Sequence, residues 1–273
     1  MSRRVKAILT YDGTGYHGWQ VQPGLPTIQS TLESVLAEIE GAAVTVMGSG
    51  RTDAGVHALA QVAAFDLRNR IPAANLQRAM NRLLPPAIRI LSIEDADPGF
   101  HPRFDASAKT YEYRIHREEI CPPFDWPYVA YHPYPLDEDK MTAAAEGFTG
   151  THNFTAFAAS DPKDALGLSK VRTVFSSHLS REGARLIYRV RGNGFLKHMV
   201  RNLTGALIEI GKGNLDEAAL RALLAGTPRP PIIRTAPAKG LFLVSVEYGR
   251  RDPAGPVPAA PPSACPPVEP ASR

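Results

Sequence analysis

The chain has 273 residues, 44% of them hydrophobic and 21% charged, enough apolar material for the core of one large domain or two fused smaller ones. It contains no apolar run long enough to cross a bilayer and no signal-peptide stretch at its start, so a cytoplasmic protein without a membrane partner is expected. Two scattered cysteines, Cys121 and Cys265, are too few for a disulfide framework or a zinc site, and the net charge of +4 suits a polyanionic partner without demanding one.

Hydrophobic periodicity gives the elements in chain order. A strand at Val5–Tyr11 leads into a Gly-rich turn, Asp12 to Gly18. A helix follows from Thr27 to Glu40, with Ile28, Leu32, Val35, Leu36 and Ile39 on one face, Thr27 as N-cap and Gly41 as its end. Strands are expected at Ala43–Ser49 and Ala58–Leu67. A helix at Ala73–Leu84 is stopped by Pro85 and Pro86, and a strand at Ile88–Ile93 closes the first half. Arg68, Arg70, Arg78, Arg82 and Arg89 crowd this region. The second half repeats the order loosely, with a strand at Lys109–His116, a Pro-rich connection, and a helix at Asp137–Phe148. Strands at Val171–Leu179 and Arg185–Val190, helices at Leu196–Ile210 and Asp216–Ala225, and a strand at Leu241–Tyr248 complete it.

The first half thus reads β-α-β-β-α-β, the ferredoxin-like or RRM-like plan, and the second repeats it loosely with one helix more. The expected class is α+β: two such halves, residues 1–105 and 106–249, with antiparallel sheets meeting at a central cleft. Residues 250–273, rich in Pro and Ala, have too little apolar surface to offset their ordering entropy and are expected to be a disordered tail.

The segment Gly48-Ser49-Gly50-Arg51-Thr52-Asp53-Ala54-Gly55-Val56-His57 lies between two expected strands, where a plain hairpin needs only a two-residue turn. Its run Arg-Thr-Asp-Ala-Gly-Val-His resembles the signature of the tRNA pseudouridine synthase A (TruA) family, whose aspartate is catalytic. Further matches follow in the family's order. Tyr11-Asp12-Gly13-Thr14 with Gly18-Trp19-Gln20 resembles its opening strand and turn. Phe100-His101-Pro102-Arg103-Phe104 resembles its RNA-contacting loop, and Lys109-Thr110-Tyr111-Glu112-Tyr113 the motif of its active-site tyrosine. Gly150-Thr151-His152-Asn153-Phe154 recurs there too. Phe195 to Asn202 resembles the motif that supplies a basic partner to the aspartate, and Ala236-Pro237 through Leu241 its closing strand. The match covers residues 5 to 248. The stretch Ser160 to Lys170 aligns least well, and the family's RNA contacts near it fall on Lys163, Lys170 and Arg172.

The resemblance implies the pseudouridine synthase fold and a homodimer that converts uridine to pseudouridine at positions 38–40, in the anticodon stem-loop of tRNA. It makes Asp53, Tyr111 and Arg201 the catalytic group, and places RNA contacts at Arg51, Arg70, Phe100, His101, Arg103, Phe104, Lys170 and Arg172. The chemistry fits these residue types. The reaction gains and loses no atom, in keeping with the lack of a dinucleotide fingerprint or phosphate loop, so no cofactor is expected. Asp53 must stay ionised in a base-sized pocket, where burial alone would neutralise it unless a cation such as Arg201 stood nearby. It could then attack C1′ or take a proton from the ribose. Tyr111 could stack on the uracil and help remove the C5 proton. A paired uridine must first be extruded; Arg51, and after it Arg70, is the candidate to fill the gap, while Arg103 would hold the backbone.

His57 and His198 suggest a metal, but no third or fourth ligand is evident, and no metal is expected. The rival readings are a non-catalytic RNA-binding protein on an RRM-like scaffold and an aspartate-dependent nucleoside hydrolase.

Overall fold

Along β1 (Arg3–Tyr11), Val5, Ala7, Leu9 and Tyr11 are buried and alternate with half-buried neighbours, the pattern of a strand with one face on a core. In the computed structural model, which describes residues 2–160 and 167–249, that strand opens a half comprising α1 (Ile28–Glu40), β2 (Met47–Gly48), β3 (His57–Leu67), α2 (Ala73–Leu83) and β4 (Ile88–Ala96). The tail expected at 250–273, with Cys265, lies outside the described residues, as does Lys163. Helix α1 begins where Thr27 accepts from the Ser30 N–H at 3.2 Å and Ser30 returns the contact. It ends at Gly41, whose φ of 73° only glycine adopts at no cost.

The second half comprises β5 (Ala106–His116), β6 (Ala130–Tyr131), α3 (Glu138–Glu146), β7 (Gly150–Asn153), β8 (Val171–Glu182), β9 (Arg185–Gly192), α4 (Met199–Gly211), α5 (Glu217–Leu224) and β10 (Leu241–Tyr248). Four strands of each half follow one plan. The first runs β4-β1-β3-β2 and the second β10-β5-β9-β8, with β7 added at the edge. The mixed α/β class matches the expectation, and the pairing within each half is antiparallel apart from the short parallel pair of β5 and β6.

The two sheets are not separate, however. Strand β10 lies parallel to the start of β3, Phe242 beside His57 and Leu243 beside Ala58, and makes one continuous sheet. That edge of β3 is open because β2 covers only Ala63 and Ala64, and an open edge offers unpaired N–H and C=O groups to another strand.

The strand expected at Ala43–Ser49 shrinks to Met47–Gly48. Val44 and Val46 are buried as its alternation requires, but the Val46 N–H bonds to the Glu33 carboxylate at 3.0 Å instead of to a strand. Helix α4 begins at Met199, not Leu196, because His198 takes a left-handed conformation, φ 61°. Among the described residues, no helix is long and apolar enough to cross a membrane.

Candidate active site

The loop between β2 and β3 carries Asp53 and is fixed from both sides. Ser49 Oγ donates to Gln61 Oε1 at 2.6 Å, and Gln61 Nε2 donates to the Gly50 carbonyl at 3.1 Å. Tyr11 and Thr52 share a hydroxyl–hydroxyl contact at 2.8 Å, and the Val56 N–H closes a turn onto the Asp53 carbonyl at 3.1 Å. The loop after β1 lies directly on this turn, with the Trp19 N–H on the Thr52 carbonyl at 3.1 Å. A Cβ on Gly18 would stand 2.6 Å from that same oxygen, so the approach requires glycine. The Asp53 backbone is therefore held before any ligand arrives.

The second half supplies the opposite wall. Period two along β5 puts Lys109, Tyr111 and Tyr113 on one face. Tyr111 is 8% exposed and meets the Phe195 ring edge-on at 5.1 Å. Burial first, then the neighbouring Tyr11 and Asp53, push its hydroxyl well above the usual tyrosine value, so it stays protonated at neutral pH.

Helix α4 brings Arg201. Its start is pinned to the segment before β10. Thr235 Oγ1 donates to Asn202 Oδ1 at 2.7 Å, Asn202 Nδ2 to the Phe157 carbonyl at 2.7 Å, and the Ala236 N–H to the Arg201 carbonyl at 3.2 Å. A side chain at Gly205 would collide with the Arg234 carbonyl. So anchored, Arg201 donates Nε to the Ala236 carbonyl at 2.7 Å and Nη1 to Asp53 Oδ2 at 2.9 Å. The pair is only partly exposed, 15% for Arg201 and 27% for Asp53, which strengthens it over a surface ion pair.

His198 also approaches Asp53 Oδ2, at 3.5 Å. Burial lowers its pKa against the upward pull of Asp53, so at pH 7 the imidazole is neutral. It is the one non-glycine residue with positive φ among those described, a strain of the kind found at functional positions. No third His, Cys, Asp or Glu joins the two in a metal-binding group among the described residues.

Asp53 and Tyr111 line a cleft of about 790 Å³ formed from both halves, whereas Arg201, bonded to the Asp53 carboxylate, is not among the lining residues. Of the expected RNA contacts, Arg51, His101 and Arg103 line the cleft. Arg51 Nε donates to Gln20 Oε1 at 3.0 Å, and His101 Nδ1 accepts from the Arg103 N–H at 3.1 Å. Phe104 stands 72% exposed beside His101. Phe100 turns away to pack on Tyr248 at 5.1 Å. Arg70 is exposed on the connection into α2, and Arg172 folds back on the carbonyls of Ser169 and Val171. The Lys170 carbonyl accepts from the Phe154 N–H. Phe100, Phe104, Arg70, Lys170 and Arg172 are not among the residues lining the cleft.

Sequence reasoning missed Lys109, Phe195 and His198 as cleft residues. The alternation of β5 was the available signal for Lys109; the other two precede α4 in an irregular turn that no periodicity marks.

A family model described as tRNA pseudouridine synthase matches residues 7–105 and 144–249. A protein of Solibacter usitatus named tRNA pseudouridine synthase A is 63% identical over 246 residues, covering 90% of this chain and 100% of its own. Proteins of the same name from Brevibacillus brevis and Lacticaseibacillus casei are 40% and 42% identical, covering 90% and 89% of this chain and 100% and 98% of theirs.

Proposed function

The chain belongs to the tRNA pseudouridine synthase family, and on that premise we propose that the cleft isomerises a uridine of the tRNA anticodon stem-loop, at positions 38–40, with Asp53 as its catalytic carboxylate. The observation that carries this is the 2.9 Å pair between Asp53 and Arg201. Residues 1–105 supply the carboxylate and residues 106–249 its counter-cation, so the seam between the halves is where the chemistry sits. We further propose a cytoplasmic homodimer; size-exclusion chromatography with light scattering tests the dimer.

The reaction breaks the bond between C1′ and uracil N1, turns the base, and joins C1′ to C5; the C5 proton leaves and N1 gains one. Arg201 sets its guanidinium against Asp53 Oδ2 at 2.9 Å in a partly dry site. The Asp53 carboxylate serves either route to C1′–N1 cleavage: attack on C1′, with the electron pair leaving on the uracil, or removal of a ribose proton. Tyr111, protonated, supports the base while it turns, with Phe195 edge-on to it and Leu241 in the same cleft lining. Its hydroxyl is the group we assign to relaying the C5 proton. Extruding the base costs a few kcal/mol, offset by phosphate contacts at Arg103 and by Arg51 entering the vacated stack.

The test is direct. Purified protein mixed with an undermodified tRNA transcript should form pseudouridine at positions 38–40 without added nucleotide or metal. Asp53→Asn should abolish turnover and keep RNA affinity. Product from the variant, or free uracil released by the wild type, would overturn the reading.

A further inference from the structure

We propose that Lys109, with Arg103 beside it, forms a site for the phosphodiester flanking the target uridine, and that Lys109 couples that phosphate to the position of the Asp53 loop. The proposal rests on the enzymatic reading above and gives its cleft a specific backbone contact.

Lys109 is half-buried on β5, two residues before Tyr111 and on the same face. Its Nζ donates to the Ser49 carbonyl at 2.5 Å and lies so close to Gly50 that a Cβ there would stand 3.0 Å from it. The ammonium thus reaches from the second half into the base of the loop that ends in Asp53. It makes no ion pair with a carboxylate among the described residues. The neighbouring charge is Arg103, which repels it, and burial together with that repulsion brings its pKa down to about 8.

A half-buried cation whose one partner is a neutral carbonyl has no opposite charge to offset its lost hydration. The cleft cannot repair this from its own residues: Asp53 is the one carboxylate among those lining it, and Arg201 already holds it. The anion must arrive with the ligand. An RNA backbone supplies a phosphodiester on each side of the target ribose, within one nucleotide's reach of the C1′ that Asp53 addresses. Lys109 has N–H bonds left to give beyond the one to Ser49, and Arg103 adds a planar fork suited to phosphate oxygens. A phosphate seated there would hold Lys109 charged, and through Ser49 would fix the loop at the moment the nucleotide is in place.

The experiment uses the full chain and anticodon stem-loop hairpins in which one phosphodiester at a time, on either side of the target uridine, is replaced by an uncharged methylphosphonate. Lys109→Met should weaken binding of the all-phosphate hairpin by roughly ten- to hundredfold, as expected for a lost charge-assisted hydrogen bond. On one hairpin with a flanking methylphosphonate the same substitution should cost less than about threefold, the two losses being one contact counted twice. Lys109→Arg should keep most of the affinity. Arg103→Gln, at an exposed side chain, provides the same cycle should Lys109→Met fail to fold. Losses that multiply at every flanking position, or wild-type affinity in Lys109→Met, would overturn the site. Wild-type turnover of the unsubstituted hairpin is measured alongside: turnover without coupling removes the phosphate site alone and leaves the enzymatic reading standing.

Discussion

The face of the sheet that carries Glu112 and the face that carries Lys109 use the same strands and treat charge in opposite ways. On the first, cations stand against anions. Glu112, nearly fully buried, accepts from Arg114 Nε and Arg189 Nε, both at 2.7 Å. Arg191 grips Glu247 with two bonds of 2.8 and 2.7 Å, and Lys6 pairs with Glu94 at 2.7 Å. On the second, Arg51, Arg103, Lys109 and Lys197 line a cleft whose one carboxylate is Asp53. A net charge of +4 is small when spread over the whole surface. Neutralising one face and leaving the other unbalanced concentrates it where a polyanion would enter.

Substitutions can break this contrast. The largest effect belongs to Asp53→Asn, which should lower kcat by roughly 10⁴-fold or more, the scale of losing a catalytic group, while leaving a cleft at least as attractive to RNA. Arg201→Ala leaves the carboxylate without its cation; from the cost of breaking a partly buried pair, kcat should fall by roughly 10²-fold. Single-turnover assays with saturating protein measure both. Glu112→Gln tests the other face: it should cost about 2 kcal/mol of stability by stranding Arg114 and Arg189, seen as a lower Tm, with kcat/KM unchanged.

A pH titration sharpens the contrast at the joint between the halves. His57 is buried against Asp12, Tyr128 and Phe242, with Arg114 near it. Burial lowers its pKa from the usual 6.5, against the pull of Asp12. Below about 6.5 the unfolded chain therefore binds a proton that the folded one resists, and stability falls as pH falls. His132 and His198 shift the same way, so His57→Gln should flatten the acid loss of Tm only in part. The smallest effect is expected at Lys6→Ala: its partner Glu94 is 62% exposed, and the change should stay within about 0.5 kcal/mol by chemical denaturation.

The elements whose signals are local were legible in the sequence. Thr27 and Gly41 bound α1 as their residue types dictate, and β10 spans Leu241–Tyr248 as its apolar run does. The Asp53 loop could be singled out because its glycines and charged residues interrupt two strands, and Arg201 because of its motif. What stayed hidden depends on distant partners. The parallel joint of His57 and Ala58 with Phe242 and Leu243 is two residues long and leaves no periodic trace. The bond that takes the Val46 N–H out of the strand is accepted by the Glu33 side chain on another element. Strand β7, Gly-Thr-His-Asn, has no apolar alternation to betray it. Lys109 was in view within the tyrosine motif, but its role follows from the Ser49 carbonyl, sixty residues away in sequence.

That two-residue joint has a mechanical consequence. It lies at His57, only four positions from Asp53, and next to Leu241, which borders the cleft. In any rotation about a pivot, displacement grows with distance from the axis. A tilt of one half against the other would therefore displace the parts of the cleft far from this joint more than the parts beside it.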